Sequence, residues 1–407
     1  MDGRRDEPGL RSESVRRANL SALVRELHTA GLLSRSELGS RTGLTRSTVR
    51  VLIGELAAAN LVTEVEPEPL GTPGRPSHLV KPGPDRPLVL ALAIAVDSIA
   101  GAVVSFGGEV LQSLRVDRPR GELSLDHTVA DLAQLAARLD RFDAGTAIGI
   151  GVAIAGVVRR ADGVVALAPN LGWRNVALSH ALSQAMNTLL PVAVANEADL
   201  GALAEARRGA ALNAREILFI WGEVGVGGGL IVEGRPLTGV AGFGGEVGHL
   251  PVNPMGGACR CGSQGCWETE IGEDALLVHS GRQPGGGREA VQAVLRDAHA
   301  GDERARAALD HVGHWLGYGL AGLVNVLNPE LIVLGGLFGR IYDEIADTVE
   351  VRLDRYALAD ARRLVRVVPA ALGEDAPMLG AAELAFEPFL GDPAAWLTRP
   401  ALELASA

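Results

Sequence analysis

The stretch from Gly244 to Glu268 (GGEVGHLPVNPMGGACRCGSQGCWE) restricts this chain more than any other. It holds all three cysteines, Cys259, Cys261 and Cys266, and His249 stands ten residues before the first. A Cys-x-Cys-x4-Cys run bent by Gly256, Gly257, Gly262 and Gly265 can wrap a tetrahedral ion, with His249 as fourth ligand. Three thiolates and one imidazole in a closed site suit structural zinc. The other reading is three free cysteines that share a loop. The glycines and the lack of any further cysteine favour the ion. A disulfide would leave one cysteine unpaired.

Composition sets the frame. Hydrophobic residues make up 47% of the 407 and charged residues 21%, which fits a soluble protein of two or three domains. No apolar run reaches about 18 residues, so no membrane span is expected. The N-terminus, MDGRRDEPGL, lacks a signal-peptide core, and a cytoplasmic protein is expected. Net charge is −11, unevenly spread. Residues 1–82 carry twelve Lys/Arg and ten Asp/Glu, while the rest carries 26 and 39. A mildly basic head on an acidic body suits a DNA-binding module joined to a domain that does not bind DNA.

The head reads as helix-turn-helix. Leu20, Leu23, Val24 and Leu27 have helical spacing within residues 14–29. Ser34 with Glu37 forms a capping box that starts a short helix, Gly43-Leu44 turns the chain, and Thr45 caps a second helix. Val49, Leu52, Ile53, Leu56 and Ala57 make one apolar face of it, leaving Arg46, Ser47 and Arg50 off that face on the first turns. Basic and hydroxyl groups at the start of a second helix are placed to enter a major groove; a small bundle with solvated arginines is the alternative. Residues 61–65 and 77–80 read as strands of a wing around a Pro/Gly loop, with Arg75 near its tip. Residues 81–87 (KPGPDRP) read as a linker.

The body alternates strands and helices, which defines an α/β protein. Strands are expected at 88–96, 102–106, 109–116, 146–154, 191–195, 216–221, 229–232 and 331–334, the first ones in a sheet buried on both faces. Helices are expected at 125–140, 176–187, 197–208, 311–326 and 376–386, and residues 282–288 (RQPGGGR) as a mobile loop. No short tandem repeat is visible.

GEVGH followed by CRCGSQGCWE resembles the signature of the ROK proteins (repressors, open reading frames and kinases), and the likeness runs from about Val15 to about Leu390. It implies a two-lobed actin-like, ribonuclease H-like domain at 83–407 behind the winged helix-turn-helix at 1–82. It implies zinc on His249, Cys259, Cys261 and Cys266. It also implies sugar contacts from Glu246, His249 and Glu268, and from Asn170 (APNLGW), Asn196 and Glu197 (VANEAD). Chemically this is apt, because rigid carboxylates and amides can address several hydroxyls of one sugar. One ring nitrogen of His249 would serve the ion, leaving the other for ligand or neighbour.

The nucleotide end departs from the kinase members of the family. Where they carry D-x-G-G-T, this chain has Ala93-Ile94-Ala95-Val96-Asp97. If Asp97 is taken as the motif aspartate instead, Ser98-Ile99-Ala100 still supplies no glycine pair. Where they carry G-T-G-x-G-G-G, this chain has Glu223-Val224 before Gly225, with the later glycines kept for a hinge or tight turn. Phosphate cradling needs backbone N–H groups on a glycine turn. The base motif N-D-A-N reads Asn196-Glu197-Ala198-Asp199; a displacement of about 1 Å can cost on the order of a hundredfold, so Glu197 reads as a binding residue.

These features point to a transcription regulator, expected as a repressor, that is not an enzyme. A double-stranded DNA operator, a sugar or sugar-phosphate effector, and a homodimer or tetramer are expected. The alternatives are a sugar kinase with an added DNA-binding head, and a zinc-stabilised interaction protein that uses the cleft for neither purpose.

Overall fold

A computed structural model describes residues 8–66, 78–121, 124–142 and 146–397. The head opens with α1 (Pro8–Ala30), which buries Leu20, Leu23, Val24 and Leu27. After β1 (Leu33–Ser34), α2 (Arg35–Thr42) starts on the capping box: Ser34 Oγ accepts from the Glu37 amide, and the Glu37 carboxylate accepts from the Ser34 amide. Such a cap stabilises a short helix by about 1 kcal/mol. Gly43, at φ +70°, ends α2, and Thr45 caps α3 (Arg46–Ala58) by accepting from the Thr48 amide at 3.2 Å. Val49, Leu52, Ile53 and Leu56 are buried on the expected face. β2 (Val62–Val65) and β3 (Leu79–Pro82) pair antiparallel, and β1 flanks β3. Two antiparallel strands therefore stand where the arms of a wing are expected, while Arg75 lies outside the described residues. β3 extends to Pro82, so Lys81 and Pro82 belong to the sheet and the linker is shorter than expected.

The head is packed on the body. Leu20, Leu27 and Leu56 share one core with Phe106, Phe386 and Phe389.

The first lobe runs β4 (Leu88–Ile94), β5 (Ser98–Ser105), β6 (Val110–Asp117), α4 (Leu125–Ala137), β7 (Ala147–Ile154), β8 (Val157–Arg159), β9 (Val164–Ala168), β10 (Trp173–Val176), α5 (Leu178–Ala185), β11 (Val192–Asn196) and α6 (Glu197–Arg208). Its sheet has the order β11-β7-β4-β5-β6. β4 through β6 form an antiparallel meander, and β7 and β11 run parallel to β4. β4, β5 and β7 are buried almost throughout, as continuous apolar runs should be. β6 is not: it is the edge strand and largely exposed, which its polar positions Gln112, Ser113 and Arg115 require.

The second lobe holds β12 (Ile217–Gly222), β13 (Val226–Val232), β14 (Arg235–Pro236), α7 (Glu268–Ile271), α8 (Glu273–His279), α9 (Gly287–His299), α10 (Glu303–Leu327), β15 (Leu331–Gly336), α11 (Leu337–Arg340), α12 (Tyr342–Tyr356), α13 (Ala359–Leu364) and β16 (Arg366–Pro369). Then α14 (Ala376–Gly391) returns to the first lobe, followed by α15 (Pro393–Leu397). The sheet order, β14-β13-β12-β15-β16, repeats the first lobe's plan: a meander flanked by two parallel strands. This is a structural duplication without a visible sequence repeat.

Several expectations change. Residues 282–286 form the loop, but Gly287 and Arg288 open α9. α10 starts eight residues before His311, capped by Asp302, which accepts from the Ala305 amide. Gly225 closes the tight turn between β12 and β13, where Glu223 donates its amide to the Gly225 carbonyl at 2.9 Å, and none of the glycines from Gly225 to Gly229 has a positive φ. They allow close approach: a Cβ on Gly229 would lie 2.6 Å from Ala202 Cβ and still closer to the Ala198 carbonyl oxygen of α6. Among the described residues no helix is long and apolar enough to cross a membrane.

Candidate functional site

The cysteine loop folds as a small hairpin. Cys259 donates its amide to the Ser263 carbonyl at 2.8 Å, and Gly262 and Gly265 take positive φ at its bends. His249 ends a single helical turn, Val247–His249, placed by buried Val247. The ligand atoms of His249, Cys259, Cys261 and Cys266 all lie within 4.8 Å of one another. Cys259 Sγ is 3.7 Å from His249 Nδ1, and Cys261 Sγ is 3.7 Å from Cys266 Sγ. A tetrahedron with metal–sulfur bonds of about 2.3 Å has edges of about 3.8 Å. The four side chains therefore fit one tetrahedral metal ion, with His249 using Nδ1. Its Nε2 faces Glu246 at 3.9 Å.

Trp267, fully buried and donating Nε1–H to the Trp315 carbonyl at 2.8 Å, anchors the start of α7. It sets Glu268 against the cysteine loop, where Glu268 Oε1 accepts from Cys259 Sγ at 2.8 Å. Glu268 lines one pocket with Asn170, Asn196, Glu197, Glu246 and His249, so all six residues expected at the sugar end meet. Their lobes differ: Asn170, Asn196 and Glu197 come from the first, and Glu246, His249 and Glu268 from the second. The pocket is narrow, about 80 Å³, below the 300 Å³ or more typical of sites for drug-sized ligands.

Much of the amide of Asn196 is already engaged. Its Oδ1 accepts from the amides of Ala198 and Asp199 at 2.7 and 3.3 Å as the cap of α6, and its Nδ2 donates to the Gly156 carbonyl. Glu197 lies at the back of the pocket, its carboxyl pushed well up by burial, then by Glu223 and Asp97. Burial also raises Glu246, with His249 opposing.

Sequence reasoning missed two residues. Arg260, between two cysteines, donates to Asn170 Oδ1 at 2.7 Å and to Asp274 at 3.2 Å, and the Asn170 bond ties the cysteine loop to the opposite lobe. Asp199 follows Glu197 on α6, and burial together with Glu246 pushes its carboxyl up to about 7, against Arg160. The Asn-Glu-Ala-Asp run was the only signal for Asp199. Arg260 had none.

The stretches that depart from the kinase motifs meet in a cluster of ion pairs. Asp97, in the β4–β5 turn, meets Arg120 at 3.0 Å, and Arg120 reaches across to Glu273 of the second lobe at 2.6 Å. Glu223 meets Arg288 at 3.4 Å, while Glu374 binds Arg288 and also Arg340 at 2.6 Å. A Cβ on Gly225 would lie 3.1 Å from Glu268 Oε2 and 3.3 Å from Asn170 Nδ2. That glycine makes room beside the sugar-end residues.

On the head, Arg46, Ser47 and Arg50 are exposed together at the start of α3. Other head arginines are paired: Arg16 with Glu55, Arg35 with Glu64 and Arg41 with Glu26. Arg46 and Arg50 make no ion pair among the described residues.

Comparison with known proteins agrees with this organisation. The ROK family model matches residues 89–387. The xylose repressor of Bacillus spizizenii is 29% identical over 381 residues, covering 92% of this chain and 97% of that protein. The glucokinase of Halalkalibacterium halodurans is 36% identical over 247 residues, 57% of this chain and 74% of that one. In fold, the crystal structure of a ROK family transcriptional regulator, a homologue of the E. coli MLC protein, superposes with a TM-score of 0.74 at 24% identity, covering 94% of this chain and 99% of its own. The repressor and the regulator extend over the head, whereas the glucokinase match covers little more than half the chain. From the cysteine loop, the paired lobes and these matches together, the chain belongs to the ROK family.

Proposed function

We propose that this protein is a sugar-responsive, DNA-binding transcriptional repressor of carbohydrate genes whose kinase-like domain senses its sugar without phosphorylating it. What supports this is a cleft that gathers the six residues expected to address a sugar and holds ion pairs where kinase members carry their phosphate motifs, beneath a helix-turn-helix head. Glu223, Glu273 and Glu374 are each paired with Arg288, Arg120 or Arg340, so phosphates entering there would have to displace those carboxylates from their arginines. Arg46, Ser47 and Arg50 contact DNA, with Arg75 supporting from the wing, in a homodimer that reads a two-fold site.

The metal is zinc, and it is structural: all four positions are taken by protein ligands, leaving none open for substrate. His249, Cys259, Cys261 and Cys266 hold it, and its loop sets Glu246 and Glu268 toward Asn170, Asn196 and Glu197. The names of the relatives make D-xylose the first sugar to try and D-glucose the second. A melting-temperature screen with pentoses, hexoses and their phosphates identifies the ligand. An ATP-turnover assay with the same panel should give no sugar phosphate; steady turnover would establish the kinase reading instead.

A further inference from the structure

α6 begins in the cleft and ends under the head. Its cap is Asn196 and its first residue Glu197, both lining the sugar-end pocket. Twelve residues later, about 18 Å along the axis, it ends on Arg207 and Arg208. Arg208 donates Nε–H to Glu383 at 2.5 Å, Nη2–H to the His28 carbonyl at 3.0 Å and Nη1–H to the Gly107 carbonyl at 3.2 Å. Arg207 donates to Glu383 at 2.8 Å and also to Glu387. The same two carboxylates hold α1. His28 Nε2 lies 3.1 Å from Glu383 Oε2, and Arg25 donates to Glu387 at 2.9 Å. His28 Nδ1 accepts from the Gly107 amide, so Nε2 carries the proton that it donates to Glu383.

Glu383 and Glu387, four residues apart on one face of α14, are therefore each shared between α6 and the head. His28 and Glu383 are 1% and 2% exposed, so the bonds on Glu383 are hard to exchange for water, while the Arg25–Glu387 pair lies nearer the surface. α6 is held as a rigid strut. Gly380 lets the α14 backbone close onto Leu200, and Glu205 accepts from the amides of Ala210, Ala371 and Leu372. A rigid helix fixed at both ends moves its far end when its near end moves.

We propose that α6 carries the sugar signal to the head, and that Arg207 and Arg208, acting through Glu383 and Glu387, hand it to α1. The inference rests on the sugar-sensing reading above and names its route. Neither arginine lines the pocket where the sugar-end residues meet, so they are positioning residues.

The test is hydrogen exchange on the full-length protein, followed separately at residues 192–203 and at residues 18–30, with a pentose and hexose panel led by D-xylose and D-glucose. In the wild type, sugar should change exchange at both ends, at α1 by about fivefold or more. In Arg208→Gln, and in Glu387→Gln, whose carboxylate is 33% exposed and the milder change, sugar affinity should stay near wild type and 192–203 should still respond. The α1 response should fall below about twofold. A variant that keeps both ends responding as in the wild type overturns the route. A wild type whose 192–203 segment answers no sugar overturns the sensing reading, and the route with it.

Discussion

Gly225→Ala separates two explanations for the glycine run before β13. If the run survives as a phosphate cradle, an alanine there should leave sugar binding alone. The structure gives Gly225 another reason. Its added Cβ would press on Glu268 Oε2 at 3.1 Å and Asn170 Nδ2 at 3.3 Å, with no other atom within 4 Å. Both are flexible side-chain ends, and Gly225 is not in the left-handed region, so the fold should tolerate the change. The polar pair must instead shift by a few tenths of an ångström, away from the positions that address a sugar. Overpacking of this kind costs about 1–3 kcal/mol, and here the cost falls on the bound state, weakening sugar affinity about 5–150-fold. Gly229→Ala is the contrast: its Cβ meets the α6 backbone, so it should destabilise the protein itself. Calorimetric titration with the responding sugar, beside thermal melts without it, reads both effects. Wild-type sugar affinity in Gly225→Ala would refute the claim that Glu268 and Asn170 hold one ligand between them.

Three further outcomes follow from the same geometry. Cys261→Ser should lose the metal and the sugar response together, as metal analysis and ligand-dependent melting would record; an intact response without metal would remove zinc's structural role. Arg50→Ala should weaken operator binding by about 1–3 kcal/mol and relax specificity at one base pair, whereas equal weakening on every DNA sequence would mark a phosphate contact. Asp199, raised to about 7 by burial and Glu246, favours the folded state only while protonated. Its contribution is full below about pH 4 and is lost as pH rises through about 7, so Asp199→Asn should flatten the fall in melting temperature between pH 5 and 8; parallel curves would contradict this.

What the sequence made legible was local or chemically rare. The bounds of α6, the capping box of α2 and the Thr45 cap of α3 depend on a few neighbouring residues, and the structure reproduces them. The cysteine cluster was readable because its ligands sit close together in the chain. β8, β9 and β10 were missed because three to five residues carry too little periodicity. The early part of α10 was missed because its first turns are charged, though Asp302 was an available cap signal. β6 was read as buried although Gln112, Ser113 and Arg115 already argued for an edge. Ion pairs such as Arg120–Glu273, 153 residues apart, exist only once both lobes are folded. The head–body junction on His28 and Glu383 is hidden for the same reason. Nothing near His28 tells where its partner lies, 355 residues on.

The central claim is that a sugar bound in the cleft changes the grip of the head on DNA, without chemistry on the sugar. The most direct measurement is an operator titration, with DNA selected from a random library, in the absence and presence of saturating D-xylose or whichever sugar raises the melting temperature. A coupling of 1–3 kcal/mol predicts an operator affinity shifted about 5–150-fold, with operator shifting sugar affinity by the same factor. An operator isotherm unmoved by every sugar in the panel, beside ATP-dependent phosphorylation of one of them, would contradict it.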